Sequence, residues 1–193
     1  MAVVRVGLGA LIAVEAVRYL AFGWVSKYYL TPHMRFPYPG FGWVGTGPPG
    51  LLYAVVVVMG LAGLALAVGR LHRLWAVVAG LALGWVFLLD QARYLNHFVL
   101  VLILCALCAA LPMGAALVRG RDDTAVPVGA IWAVRVQIGL VYVLAAVAKL
   151  TPDWLHAWPL LHWLETRADT PVVGALLAWD GTAWAFSYLG VGF

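Results

Sequence analysis

A lysine closes a long apolar run in YVLAAVAKLTPDW, the stretch from Tyr142 to Trp154. Lysine at such a point either snorkels its ammonium to the membrane interface or is held below the surface, where desolvation lets it act as a base. Arg135, Tyr142 and Lys149 stand seven and seven apart, so on one helix they share a face over about 21 Å. An ionisable group in hydrocarbon costs at least ~2.5 kcal/mol, so this stripe must face the protein interior or a wet cavity. The stripe weighs toward function for Lys149, at its outer end, and leaves snorkelling open. A second constellation is Asp90, Arg93 and His97, spaced three and four. On a helical end or tight turn, Asp90 can orient or charge-pair with Arg93 or His97.

The third group is aromatic. In TPHMRFPYPGFGWVGTGPPG, Pro37 and Pro39 bracket Tyr38, Gly40 relieves the turn, and Phe36, Phe41 and Trp43 follow at interface depth. These rings read either as an interfacial belt or as walls of a pocket for a planar, lipid-soluble ligand such as a quinone. Trp154 and Trp158, in the tryptophan-rich connection from Thr151 to Thr170, are a second set of candidate walls. Glu15 and Arg18, three apart, neutralise each other on one helical face. Cys105 and Cys108, inside FVLVLILCALCAAL, have no polar companions and read as packing residues. The histidines at 33, 72, 97, 156 and 162 show no two-ligand helix motif, so no metal is expected.

Hydrophobic residues make up 65% of the 193-residue chain and charged residues 10%, and the mean hydropathy is +0.96. No soluble domain of that length hides so much apolar surface, so the chain reads as integral to the lipid bilayer. The net charge is +4, but the twelve Lys and Arg are scattered singly. That pattern argues for membrane topology and against nucleic acid. The start, MAVVRVGLGALIAVEAVRYLAFGW, is interrupted by Glu15 and Arg18 and reads as a retained helix, not a cleaved signal.

The expected fold is all-α, a polytopic transmembrane bundle of about five to six spans forming one domain over 1–193. Spans are expected at Val3–Phe22, Leu51–Val68, Leu74–Leu89, Phe98–Val118 and Val128–Leu150. A last stretch, Val172–Phe193, is interrupted by Asp180 and is either one short span or a re-entrant piece in two halves. Arg5, Arg70, Arg73, Arg119 and Arg121 mark the short connections as cytoplasmic, against Lys27, Arg35, Arg93 and Arg167 on the longer ones. The longer, aromatic connections then share the extracytoplasmic face, where the candidate chemistry lies. Gly, Ala and Val richness is compatible with a homodimer.

Three segments, RFPYPGFGWV, FLLDQARYLNHFVLV and RVQIGLVYVLAAVAKLTPDWLHAWPL, in this order and separated by apolar spans, resemble the HTTM membrane domain of bacterial proteins related to vitamin K-dependent gamma-carboxylase. The resemblance covers roughly Val3 to Phe193. It implies a base at Lys149, in the pattern Tyr, apolar residues, Lys-Leu, two residues, Trp. It implies that Asn96 and His97, in YLNHF, position or polarise the reacting groups, with Asp90 beside them. The family reaction couples oxygenation of reduced vitamin K or menaquinol by O2 to glutamate deprotonation and CO2 addition. A lysine at its reference pKa of about 10.4 is neutral in only about one molecule in a thousand near pH 7.4, so such a base needs desolvation.

The candidate walls for such a quinone are Tyr38, Phe41, Trp43, Tyr142, Trp154 and Trp158. The animal enzymes carry a large soluble region that captures the protein substrate; no such domain is expected in this chain, and Ala148 stands where they have a second lysine. A peptide substrate or a separate substrate-recognition chain is therefore expected as partner. The expected location is a bacterial cytoplasmic membrane, with the site facing outward. Two other classes stay open. A non-catalytic membrane subunit or quinone-binding assembly protein would tie its polar groups in saturated hydrogen bonds. A transporter or proton relay would need the polar stripe to continue to the other face, yet spans two and four carry no ionisable residue in their middles.

Overall fold

A computed structural model describes residues 1–113 and 126–192. All regular structure among them is helical, as expected. The chain divides into two compact units, Met1–Val134 and Arg135–Phe193.

In the first unit, α1 (Ala2–Ala21) packs on α2 (Pro49–Val68), α2 on α3 (His72–Leu88), and α3 on α4 (Asn96–Ala110). Small residues set the α1–α2 distance. A Cβ built on Gly63 would lie 2.7 Å from the Gly9 carbonyl oxygen and 3.0 Å from the Ala13 amide nitrogen. The two backbones can meet this closely only because neither position carries a side chain. Ile12, Leu52, Val56, Met59 and Leu66 complete the seam, while Leu11, Val14, Val57, Leu61 and Leu64 face outward. Helices apolar on both faces are what a lipid solvent permits. Cys105 and Cys108 are free thiols buried in the α3–α4 packing, matching their reading as packing residues.

The N-terminus of α2 starts with Pro49 in the first turn, where the missing amide costs nothing, and the helix ends at Gly69 with φ +93°. Its last carbonyls are not left bare. Arg5, read in the sequence as a topological cation, is fully buried and donates from Nη1 to the carbonyls of Leu66 and Ala67, the second at 2.8 Å. A guanidinium thus closes the end of a neighbouring helix.

The fourth expected span, Phe98–Val118, is corrected. Helix α4 stops at Ala110, because Leu111 turns extended ahead of Pro112. Residues 114–125, with Arg119 and Arg121, lie outside the described residues. By length and composition α2 and α5 (Val128–Ala148) can cross a membrane; α3 and α4 are apolar but shorter. Among the described helices, then, two of the expected five to six spans meet that test, since α1 carries Arg5, Glu15 and Arg18.

The second unit takes α5 from Arg135 onward, then α6 (Pro152–Leu155), α7 (Trp158–Glu165), α8 (Gly174–Leu177) and α9 (Asp180–Gly192). The tryptophan-rich connection is helical, not a loop. Thr151 accepts from the Trp154 amide and Pro152 opens α6, and Ala157, at φ +55°, turns the chain into α7. The final stretch is two helices rather than one, broken between Ala178 and Asp180. Helices α6 and α7 both pack on α9.

Candidate functional site

Lys149 follows the last residue of α5 and is half-buried. Its Nζ donates to the carbonyl of Gly190 in α9 and lies 5.4 Å from the centre of the Trp154 ring. Trp154 is fixed in turn: its indole Nε1 donates to the Ser187 carbonyl at 3.0 Å, and the Ser187 hydroxyl donates back to the Trp154 carbonyl. Tyr188 adds a bond from its hydroxyl to the Leu155 carbonyl at 3.2 Å. This exchange ties α6 to α9 around the amine. No carboxylate pairs with Lys149 among the described residues.

The rest of the stripe behaves differently from the expectation. Tyr142 is 60% exposed, and Val136, Val143 and Val147 around it are exposed as well. The seven-residue spacing does put these residues on one helical face, but burial is decided by what packs there, and at Lys149 that is Gly190 of α9. A separate cavity of about 200 Å³ in this unit is lined by Leu161, Leu164, Glu165, Leu177 and Trp179 among others. Trp158 is 68% exposed and stacks on His162.

In the first unit, Asp90 organises the aromatic loop. Its Oδ1 accepts from the Ala92 amide at 3.0 Å, capping the 3₁₀ turn Gln91–Arg93, and from the Phe36 amide at 3.2 Å. The Gln91 amide donates to the Phe36 carbonyl at 2.7 Å. The expected Asp90 pairing with Arg93 or His97 is therefore corrected. A buried carboxylate finds backbone amides, which need no side-chain ordering, and Arg93 lies instead over Tyr28. Asn96 and His97 occupy the first turn of α4, both exposed, with His97 edge-on to Phe98.

The clip at Asp90 brings Tyr38 onto Phe87, stacked at 5.2 Å, and Phe87 within 5.8 Å of Tyr94. The Tyr38 hydroxyl is shielded from solvent with no hydrogen-bond partner, and so is the Trp85 indole N–H. Desolvation pushes the Tyr38 phenol above its ordinary value, with Tyr94 and Asp90 adding to the rise. Phe41 and Trp43 cluster beside Trp85, but Trp43 is 70% exposed. The loop thus holds one inward donor, Tyr38, and an outward belt.

Three features escaped the sequence. Phe87 and Trp85 read as span residues, Ser187 and Gly190 as part of an apolar stretch, and Trp24, Tyr28 and Tyr29 as part of the polar-aromatic stretch after the first span. The aromatic density after Ala21 was the sequence signal for the last group, which the structure places on and beside the π-helical turn Ser26–Leu30.

Long helices apolar on both faces are the mark of an α-helical membrane domain. The chain belongs to the HTTM family: the family model for the HTTM domain, a membrane domain of gamma-carboxylase-like proteins, matches residues 1–193. No solved structure matches it.

Proposed function

We propose that this HTTM domain carries a vitamin K-dependent gamma-carboxylase-like activity in which Lys149 is the base. The observation that supports it is the setting of Lys149: an amine half-buried against Trp154, anchored by a neutral carbonyl and with no carboxylate beside it among the described residues. A lysine so placed has no carboxylate competing for its amine among the described residues, which leaves the amine to a reacting group. Reduced vitamin K or menaquinol, with O2 and CO2, supplies the oxygenation that drives glutamate carboxylation. In this reading Lys149 removes a proton from the quinol hydroxyl. Tyr38 keeps its place among the candidate quinone walls, and its raised pKa keeps the proton on its hydroxyl. Asn96 and His97 polarise the reacting groups, and Asp90 holds the aromatic loop in place. The remaining shorter apolar helices complete a five-to-six-span bundle in a bacterial cytoplasmic membrane, with the chemistry on its extracytoplasmic side. A peptide substrate or a second, substrate-recognising chain completes the reaction, and a homodimer is compatible with the small-residue helix faces.

A second reading, a non-catalytic quinone-binding or assembly subunit, is favoured by the reciprocal Trp154–Ser187 bonds, which tie down the surroundings of Lys149. The deciding assay is quinone epoxide formation from reduced vitamin K or menaquinol under oxygen, in nanodiscs, for the wild type and Lys149→Ala. Epoxide from the wild type that falls about a hundredfold in the variant is the expected result. A folded wild type that binds quinone yet makes no epoxide overturns the catalytic reading in favour of the second.

A further inference from the structure

One end of the first unit carries a group of cations that the proposed chemistry does not use. The chain after α1 turns through Gly23 into the π-helical turn Ser26–Leu30. This places Trp24 and Tyr28 side by side, with ring centres 5.9 Å apart. Three cations gather on these two rings. Arg18 lies 4.7 Å from the Trp24 centre, Arg93 lies 4.3 Å from the Tyr28 centre, and Lys27 lies 5.4 Å from it. They come from three separate segments, the end of α1, the π-helical turn and the 3₁₀ turn before α4.

Their charges are only partly balanced. Glu15 pairs with Arg18 at 2.8 Å. Asp90 is the other acid near the cluster, and its Oδ1 accepts from the amides of Phe36 and Ala92. Arg93 and Lys27 have no carboxylate within ion-pair distance among the described residues. Cation–ring contacts orient them while leaving their N–H donors unengaged by protein acceptors.

What faces the cluster is apolar. Leu11, Val14 and Arg18, spaced three and four, share one face of α1, on which Leu11 and Val14 are exposed. Phe22, 5.5 Å from Trp24, is exposed beside them. A soluble anion has no use for such a wall, whereas a phospholipid needs both parts: cations for its phosphate and an apolar stripe for its chains. Tryptophan and tyrosine rings also mark headgroup depth. We infer that Arg18, Lys27 and Arg93, on the Trp24–Tyr28 platform, bind the phosphate of an anionic phospholipid whose acyl chain runs along the Leu11–Val14 face.

The test uses the full chain in nanodiscs of phosphatidylcholine and phosphatidylglycerol, with the lipid retained on the protein read by native mass spectrometry. The wild type is expected to retain phosphatidylglycerol over phosphatidylcholine and to lose that preference at high salt. Each cation near an anionic headgroup contributes about fivefold, so Lys27→Gln with Arg93→Gln should lower retention about 25-fold. Lys27→Arg with Arg93→Lys should restore it, and Arg70→Gln with Arg73→Gln should leave it unchanged. Equal retention of the two lipids by the wild type, at any salt, overturns the inference even if the neutral variant does not fold. So does displacement by free glycerol 3-phosphate at concentrations comparable to the lipid, which would reassign these residues to a soluble phosphate. None of these readouts depends on quinone chemistry, so this inference and the catalytic reading fail separately.

Discussion

The two units hold themselves together by opposite means. In Met1–Val134 the helices approach until backbones touch, with Gly9 against Gly63 and Gly60 against Ala16, and side chains fill what is left. In Arg135–Phe193 the helices are short, and side-chain to backbone hydrogen bonds do the joining: Lys149 to Gly190, Trp154 to Ser187, Ser187 to Trp154 and Tyr188 to Leu155. Long helices satisfy their own backbones and need only shape to associate in lipid. A four-residue helix such as α6 leaves nearly all its terminal carbonyls and amides open, and those become the points of attachment. The lysine proposed as base sits in the second kind of structure, where polar partners are close at hand.

That contrast can be broken from either side. The largest effect is expected for Gly63→Leu, which drives a side chain into the Gly9 and Ala13 backbone; overpacking of this kind costs about 3 kcal/mol, and first-unit helices should lose hydrogen-exchange protection while α9 keeps its own. Arg5→Met should cost about 2 kcal/mol, because the Leu66 and Ala67 carbonyls lose a charged donor in an apolar setting, and denaturant titration in detergent micelles reads the change. Ser187→Ala should cost about 1 kcal/mol and act in the other unit, seen as faster exchange in α6 and α9 with α1 to α4 unchanged. If Ser187→Ala instead loosens α1 and α2, the two units are not separately held and the contrast fails.

Smaller effects sharpen the picture of the aromatic loop. The folded protein holds the Tyr38 proton more tightly than the unfolded chain does. Stability from this group is therefore full below the ordinary tyrosine range, about 10, and falls as pH rises above it. Tyr38→Phe should flatten that alkaline fall, and should remove a late step from the ultraviolet titration of the tyrosines. Trp43→Ala, on the outward side of the same loop, should change stability by less than about 0.5 kcal/mol in detergent.

Much of this arrangement is written in local sequence. The apolar runs placed α2 and α5 within a few residues, because helix formation in lipid depends on length and hydropathy, and the expected Val128–Leu150 span ends two residues past the observed α5. The Glu15–Arg18 pair was legible from its spacing of three. The end of α4 was less so, since the apolar run continues past Pro112 while the helix does not. Asp90 stood out as an ionisable residue at a span end, but its partner did not: the Phe36 amide is 54 positions away.

By itself, then, the sequence determined the helical, membrane-embedded class and the approximate positions of α2 and α5, and it singled out Lys149 as a lysine closing an apolar run. Each follows from near neighbours in the chain, through periodicity, hydropathy and charge. Only the tertiary structure decided that Arg5 closes α2, that Asp90 clips the aromatic loop, that Tyr38 points inward while Trp43 points out, and that Lys149 rests on Gly190 and Trp154. Those contacts join residues whose meeting depends on how helices pack, and packing is set by the shapes of distant surfaces, which a local pattern does not carry.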